Sequence, residues 1–267
     1  MILGLLPPVE RLLGVAIPCA GAAAGFNAAL LAWQCAGKAF RVSCATPVAG
    51  SLLGGVAVAS ASVLAAQVAF ALESIVEEGN GKSRKRKLPS VGDLVLHAAV
   101  GMVLFKILGG HYRNVMPSSL SHPGALSRYS VPARGSRYAG DVEAQLVRDL
   151  FSKYGCHHCG SYKGTSIADH MPPNVVMKNK VAEKLRILKK FNFSLAKHVF
   201  NMVHKLELQR FYPQCEACMR KQGGALRQGK NELVYHFRVG FPEPPYLTGF
   251  FLSALKLEDN NQGTDKK

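Results

Sequence analysis

The sequence contains no Walker phosphate loop, no dinucleotide-binding glycine fingerprint and no serine-nucleophile elbow. That removes the nucleotide-dependent and serine-hydrolase classes that those motifs serve. Acidic residues are scarce, with 17 Asp and Glu against 33 Lys and Arg and a formal charge of +16. Such a balance favours anionic partners, nucleic acid or acidic lipid headgroups, without choosing between them. Charge of either sign is nearly missing from residues 12–72, which only Lys38 and Arg41 interrupt. The chain of 267 residues is long enough for one or two domains with a real core.

What fills the uncharged stretch is apolar and small. Leu12 to Ala36 and Pro47 to Leu72 each exceed the roughly 20 residues that a bilayer crossing needs. Gly21-Ala22-Ala23-Ala24-Gly25 lies in the first, and Gly50, Gly54, Gly55, Ala57, Ala59, Ser60 and Ala61 lie in the second. Small residues let helices approach closely in lipid, which predicts a transmembrane hairpin joined near Lys38–Ser43 and offers a route to homo-oligomers. A buried hairpin of a soluble protein and a cleaved signal are the alternatives; the late, long run favours a retained anchor. The run Lys82-Ser83-Arg84-Lys85-Arg86-Lys87 follows. By the positive-inside rule it stays cytoplasmic, though a solvated linker, a lipid contact or an import signal reads the same way.

A third apolar segment, Val91 to Gly110, carries Asp93, His97 and Lys106. It either spans or lies at the interface, giving two or three membrane helices. Asp93 and His97 share a helix face, the one feature compatible with a transport role. Residues 111–138 are rich in Ser, Pro, Gly, Arg and Tyr and read as a linker. Val142, Leu146, Leu150 and Phe151 recur at helical spacing, so Asp141–Phe151 is expected to be a helix.

Of seven cysteines, Cys19, Cys35 and Cys44 lie in or beside apolar sequence. The others form two C-x-x-C pairs, Cys156/Cys159 and Cys215/Cys218. Two such pairs brought together make a four-thiolate zinc site, because the two-residue spacer turns both sulfurs toward one ion. Four unrelated buried thiols, or two disulfides, are the bland alternatives. Thiolates held by zinc suit a reducing compartment, which places this half on the cytosolic or another reducing side, together with the basic run. His157 and His158 could replace a cysteine as ligand, but, lying between paired thiolates, they are expected to be exposed knuckle residues.

After the first pair comes a turn, Gly160–Gly164, then a short strand-like stretch ending in Asp169-His170, then Pro172-Pro173. C-x-x-C-G, a strand ending in Asp-His and Pro, and a later C-x-x-C opening a basic helix resemble the HNH (His-Me finger) nucleases and their zinc-braced treble-clef relatives, over about residues 154–224. The resemblance implies that His170 is a general base and that Asp169 helps hold a Mg or Mn ion beside a scissile phosphate. The Asn that family usually carries just before the second pair is missing from Leu208–Gln214, and Met219 stands where it often has His. Asn174 and Asn201 are out of register. The zinc scaffold therefore matches better than the active site.

Between Asp169-His170 and the second pair, Val181, Leu185, Leu188 and Phe191, then Leu195, Val199, Met202 and Leu206, repeat at helical spacing. Lys184, Lys189, Lys190 and Lys197 crowd the other faces, and Arg220 and Lys221 extend the basic surface. These are the candidate anion-binding residues, with a solvated charged face as the plain reading. Glu232–Val239 alternates as a half-buried strand, and residues 251–267 end the chain as a tail.

The expectation is an α+β protein: an N-terminal transmembrane helical hairpin in residues 1–110, a linker over 111–138 and a small zinc-braced α+β treble-clef-like domain in 139–250. A structural or binding module for an anionic partner leads, a membrane-tethered metal-dependent nuclease comes second, and a transport-related protein third.

Overall fold

The computed structural model describes residues 9–79, 89–133, 137–189, 209–236 and 243–262. The chain mixes helix and sheet and divides into two units. A helical unit comprises Met1–Ala39, Pro47–Met116 and Arg238–Lys267; a mixed unit comprises Phe40–Thr46 and Pro117–Phe237.

In the helical unit, α1 (Val9–Ala39) and α2 (Ala49–Gly79) are each 31 residues long. Among the described residues, these two helices are long and apolar enough to cross a membrane. They run antiparallel. Gly14 faces Val76, Gly21 faces Leu72 and Val68, Gly25 faces Val68 and Ala65, and Trp33 Nε1 donates to Ser60 Oγ at 2.8 Å. Residues are sorted by size in an unusual direction: the buried face of α2 holds Gly50, Gly54, Gly55, Ala57, Val58, Ala61, Ser62, Ala65, Ala66 and Ala69. Leu52, Val56, Leu64 and Ile75 point outward. A helix in water normally turns its large apolar side chains inward.

The third apolar segment forms α3 (Val91–Ile107). It packs antiparallel to α2: Gly101 sits on Ser62, where a Cβ would overlap the hydroxyl, and the Tyr112 carbonyl sits on Gly54. Phe105 stacks on Tyr112 and tilts against Phe26, closing a core with Ala22, Leu30, Val58, Ala61 and Met116. The Asp93 carboxylate accepts from Ser90 N (2.8 Å) and Ser90 Oγ (2.9 Å), a capping box that starts α3.

Beside Pro117–Phe237, the mixed unit takes in the turn between α1 and α2, where Cys44 N–H donates to Pro117 O at 3.0 Å. Its three-stranded sheet has the order β2 (Val131–Pro132), β4 (Arg210–Cys215), β3 (Ser166–Met171), all antiparallel. A second ladder pairs β1 (Ser118–Ser119) with β5 (Leu233–Val234). Helix α4 (Asp141–Tyr154) packs on β3 and β4. Helix α5 (Asn174–Lys189) follows β3, and α6 (Glu216–Arg227) leaves directly from β4.

Several expectations are corrected. The segment read as a linker supplies β1 and β2 and buries Val115, Met116 and Leu120; two-residue strands are too short to register as a pattern. On α4, Val142 and Leu146 are exposed while Val147 and Phe151 are buried, because the i,i+4 face carrying the latter pair meets the strands. Strand alternation fails at β5, where Leu233 and Val234 are both buried. Part of the stretch read as a tail is helix: α7 (Thr248–Gln262) lies on α1 with Gly249 against the Ala22 carbonyl, and Asn27 Nδ2 donates to Tyr246 O at 3.0 Å. The basic run 82–87 and the helix read over 195–206 lie outside the described residues.

Candidate metal centre

Each cysteine pair is placed by a local signal. Helix α4 ends at Gly155, whose φ of 72° is cheap only for glycine. The chain then turns tightly: Gly160 N–H donates to Cys156 O at 2.8 Å and Cys156 N–H to Ser161 O at 2.9 Å. His157 N–H donates to Pro213 O at 2.8 Å, fixing this knuckle to β4. At the other pair, Cys215 ends β4 and is the N-cap of α6, so Cys218 falls in the first helical turn. A helix N-terminus favours thiolate there.

The four sulfurs lie within 4.8 Å of one another. Cys159 Sγ and Cys215 Sγ are 3.6 Å apart, far beyond the roughly 2.04 Å of a disulfide. A tetrahedron with Zn–S bonds of about 2.3 Å has edges of about 3.8 Å. Donor type and spacing therefore fit zinc. Cys156, Cys215 and Cys218 are buried and Cys159 is partly so. The thiols hydrogen-bond to one another: bonds from Cys156 foremost hold Cys215 low and bring Cys159 down to about 7. The same contacts raise Cys156, through Cys159 first, and Cys218, through Cys156 first. A divalent cation would satisfy all four as thiolates at once.

Next to the tetrad is a buried polar cluster. His157 and His158 are 1 % and 0 % exposed, so the expectation of exposed knuckle histidines is wrong. Burial, reinforced by His157, lowers His158 to about 4 and keeps its ring neutral. Gly124 N–H donates to His157 Nδ1 at 3.1 Å, which assigns the ring proton to Nε2, 3.2 Å from Asp169 Oδ2. Gln222, on α6, donates from Nε2 to the same oxygen (3.2 Å) and to Leu120 O (2.8 Å). Burial works against the Asp169 carboxylate, but the bond from His157 and the nearby His158 ring, 3.8 Å away, outweigh it and hold its pKa below the usual range.

Asp169 and His170 are brought together in sequence but not in space. Successive residues of a strand point to opposite faces. Asp169 faces His157 and Gln222, whereas His170 packs its ring edge-on to Phe211, its cross-strand partner, at 4.4 Å between centroids. Among the described residues, His170 Nε2 is buried with no hydrogen-bond partner. Of the candidate anion-binding residues, Arg220 and Lys221 stand exposed on α6, with Arg220 paired to Glu216 one turn away. Lys184 and Lys189 lie in α5, and Lys190 and Lys197 lie outside the described residues. Gly124 and Gln222 were missed by sequence reasoning; the one available signal was Gln222 recurring four residues after Cys218 on a helix.

No protein-family model, no curated protein and no solved structure matches this chain.

Proposed function

We propose that the protein is membrane-anchored and that its mixed unit is a zinc-braced, treble-clef-like module that binds a phosphate-bearing anionic partner. The observation that carries this reading is the cysteine tetrad at zinc spacing, in a chain that also has two helices able to cross a bilayer. Outward-facing Leu52, Val56, Leu64 and Ile75 over a Gly/Ala seam support lipid as the surroundings of α2. Arg220, Lys221 and Arg227 on α6 and Lys163 after the knuckle give the module an exposed cationic surface.

Binding is favoured over cleavage. In the nuclease reading the Asp169 carboxylate must meet a cation beside a scissile phosphate, yet it is 7 % exposed and accepts bonds from His157 and Gln222. His170 lies on the opposite face of β3. The test uses the full chain in detergent with duplex DNA, RNA and acidic-lipid vesicles. Salt-sensitive binding that weakens in a Lys221→Glu, Arg227→Glu variant, without strand cleavage in magnesium or manganese, supports the module. Cleavage abolished by His170→Ala makes it a nuclease instead.

Chain continuity also supports a sidedness opposite to the one expected from sequence. The turn Phe40–Thr46 belongs to the mixed unit, and α3 returns antiparallel along α2 before the chain enters that unit at Pro117. If α1 and α2 cross, α3 crosses too, and the basic run 82–87 and the zinc module occupy opposite faces of the bilayer. Protease sites inserted at Ser83 and at Gly164 should be protected on opposite sides of sealed vesicles; equal protection would sink this topology.

A further inference from the structure

The Asp169 face of the β3–β4 pair encloses polar atoms that the tetrad does not use. Among the described residues, both ring nitrogens of His158 and both amide atoms of Gln214 are buried without a hydrogen-bond partner. Each side chain is 0 % exposed. Buried polar groups are nearly always hydrogen-bonded, so four such atoms left without one in two side chains point to a guest. Asp169 adjoins the first of them: His158 Nε2 is 3.8 Å from Asp169 Oδ2. Asp169 pairs with Tyr212, so strand alternation puts Gln214 on the same face as a diagonal neighbour, roughly 7–8 Å away and within reach of a glutamine amide.

The guest's chemistry follows from these donors. A neutral imidazole offers a lone pair, the carboxylate carries a buried negative charge, and a primary amide offers a carbonyl oxygen. A divalent first-row ion uses all three. Two donors at about 2.0–2.2 Å from one such ion stand about 3–4 Å apart, as His158 and Asp169 do. His157 takes a different part, because its Nδ1 accepts from Gly124 and its Nε2–H points at Asp169. It orients the carboxylate from outside, as does Gln222, the arrangement that typically supports a ligating group.

We propose that the mixed unit holds a second cation, enclosed beneath the knuckle, with His158 and Asp169 as its ligands and the Gln214 amide oxygen as a third. The imidazole favours zinc, iron(II) or nickel over magnesium, calcium or manganese. Between side chains 0–7 % exposed there is no room for a phosphodiester, so this ion braces the knuckle against β3 and β4 rather than serving a bound strand. It uses none of the four sulfurs, so its failure and the failure of the tetrad are separable.

The experiment is a metal titration of the full chain in detergent under reducing conditions, with zinc by elemental analysis and with cobalt by absorption. The expected result is about two equivalents per chain. One shows intense sulfur-to-cobalt charge transfer and is lost in Cys215→Ser. The other shows only weak ligand-field bands and is lost in both His158→Ala and Asp169→Asn. Asp169→Asn is nearly isosteric, which keeps the test decisive if His158→Ala fails to fold. Saturation of the wild-type chain at one equivalent, or a second equivalent that survives Asp169→Asn, overturns the proposal.

Discussion

Replacing Leu64 by Arg separates a membrane hairpin from a soluble one. Leu64 is the central residue of α2 and points outward, at 43 % exposure. At about 1.5 Å per residue, the 31 residues of α2 extend about 46 Å, against a hydrocarbon core of about 30 Å. The helix can therefore slide about 8 Å either way, which still leaves position 64 about 7 Å inside the core. At a bilayer midplane Leu contributes about −0.5 kcal/mol and Arg costs about 2.5–3.5 kcal/mol, a change of about 3–4 kcal/mol. That is a roughly 100- to 1000-fold shift in the insertion equilibrium. At an exposed position in water the same exchange stays within about 0.5 kcal/mol. The assay is insertion of Ala49–Gly79 in a reporter with glycosylation sites on both flanks, backed by alkaline extraction of the full chain. The reasoning is refuted if Leu64→Arg inserts like the wild type, or if the variant is folded and monomeric without detergent.

Gly101→Leu drives a side chain into Ser62 and should lower the thermal midpoint in detergent by the equivalent of about 1–3 kcal/mol, whereas Gly79→Leu, with open space around it, should not. Phe211→Ala removes the ring that His170 packs against and opens a cavity among Val131, Ala133 and Val147; a loss of about 3–5 kcal/mol in denaturant midpoints is expected, and less than about 1 kcal/mol would mean that the core is elsewhere. If the tetrad holds zinc, as proposed, the ion is released as pH falls, because protons compete for thiolates. Cys215→Ser should move that release to higher pH, measured with a chromogenic chelator, and an unchanged profile would remove Cys215 from the ligand set.

Much of this arrangement was legible because it rests on spacing. Two apolar runs gave α1 and α2, and two C-x-x-C pairs gave a tetrad, since both signals are local and repeat at a fixed interval. What escaped was long-range. β1 and β2 are two residues each and exist only because β5 and β4 are there to pair with them. The face that α4 buries depends on which side the sheet lies, so Val147 could not be told from Leu146 by period alone. Asp169 and His170 read as one catalytic unit until strand alternation placed them on opposite faces. His157 looked like a surface residue because nothing in its neighbours reports Gly124, whose backbone packs against it from another loop.

The bond from Asn27 to the Tyr246 carbonyl joins residues 219 apart in sequence. Closing an unstructured loop of that length costs about 5 kcal/mol in chain entropy. The whole mixed unit lies inside the loop, and once folded it leaves fewer residues to be ordered on closure. Helix α7 is synthesised after the mixed unit, so its pairing with α1 follows emergence of that insert. On the proposed reading, an unfolded insert leaves that long closure uncompensated, so a tetrad lesion such as Cys215→Ser should weaken the α1–α7 pairing as well.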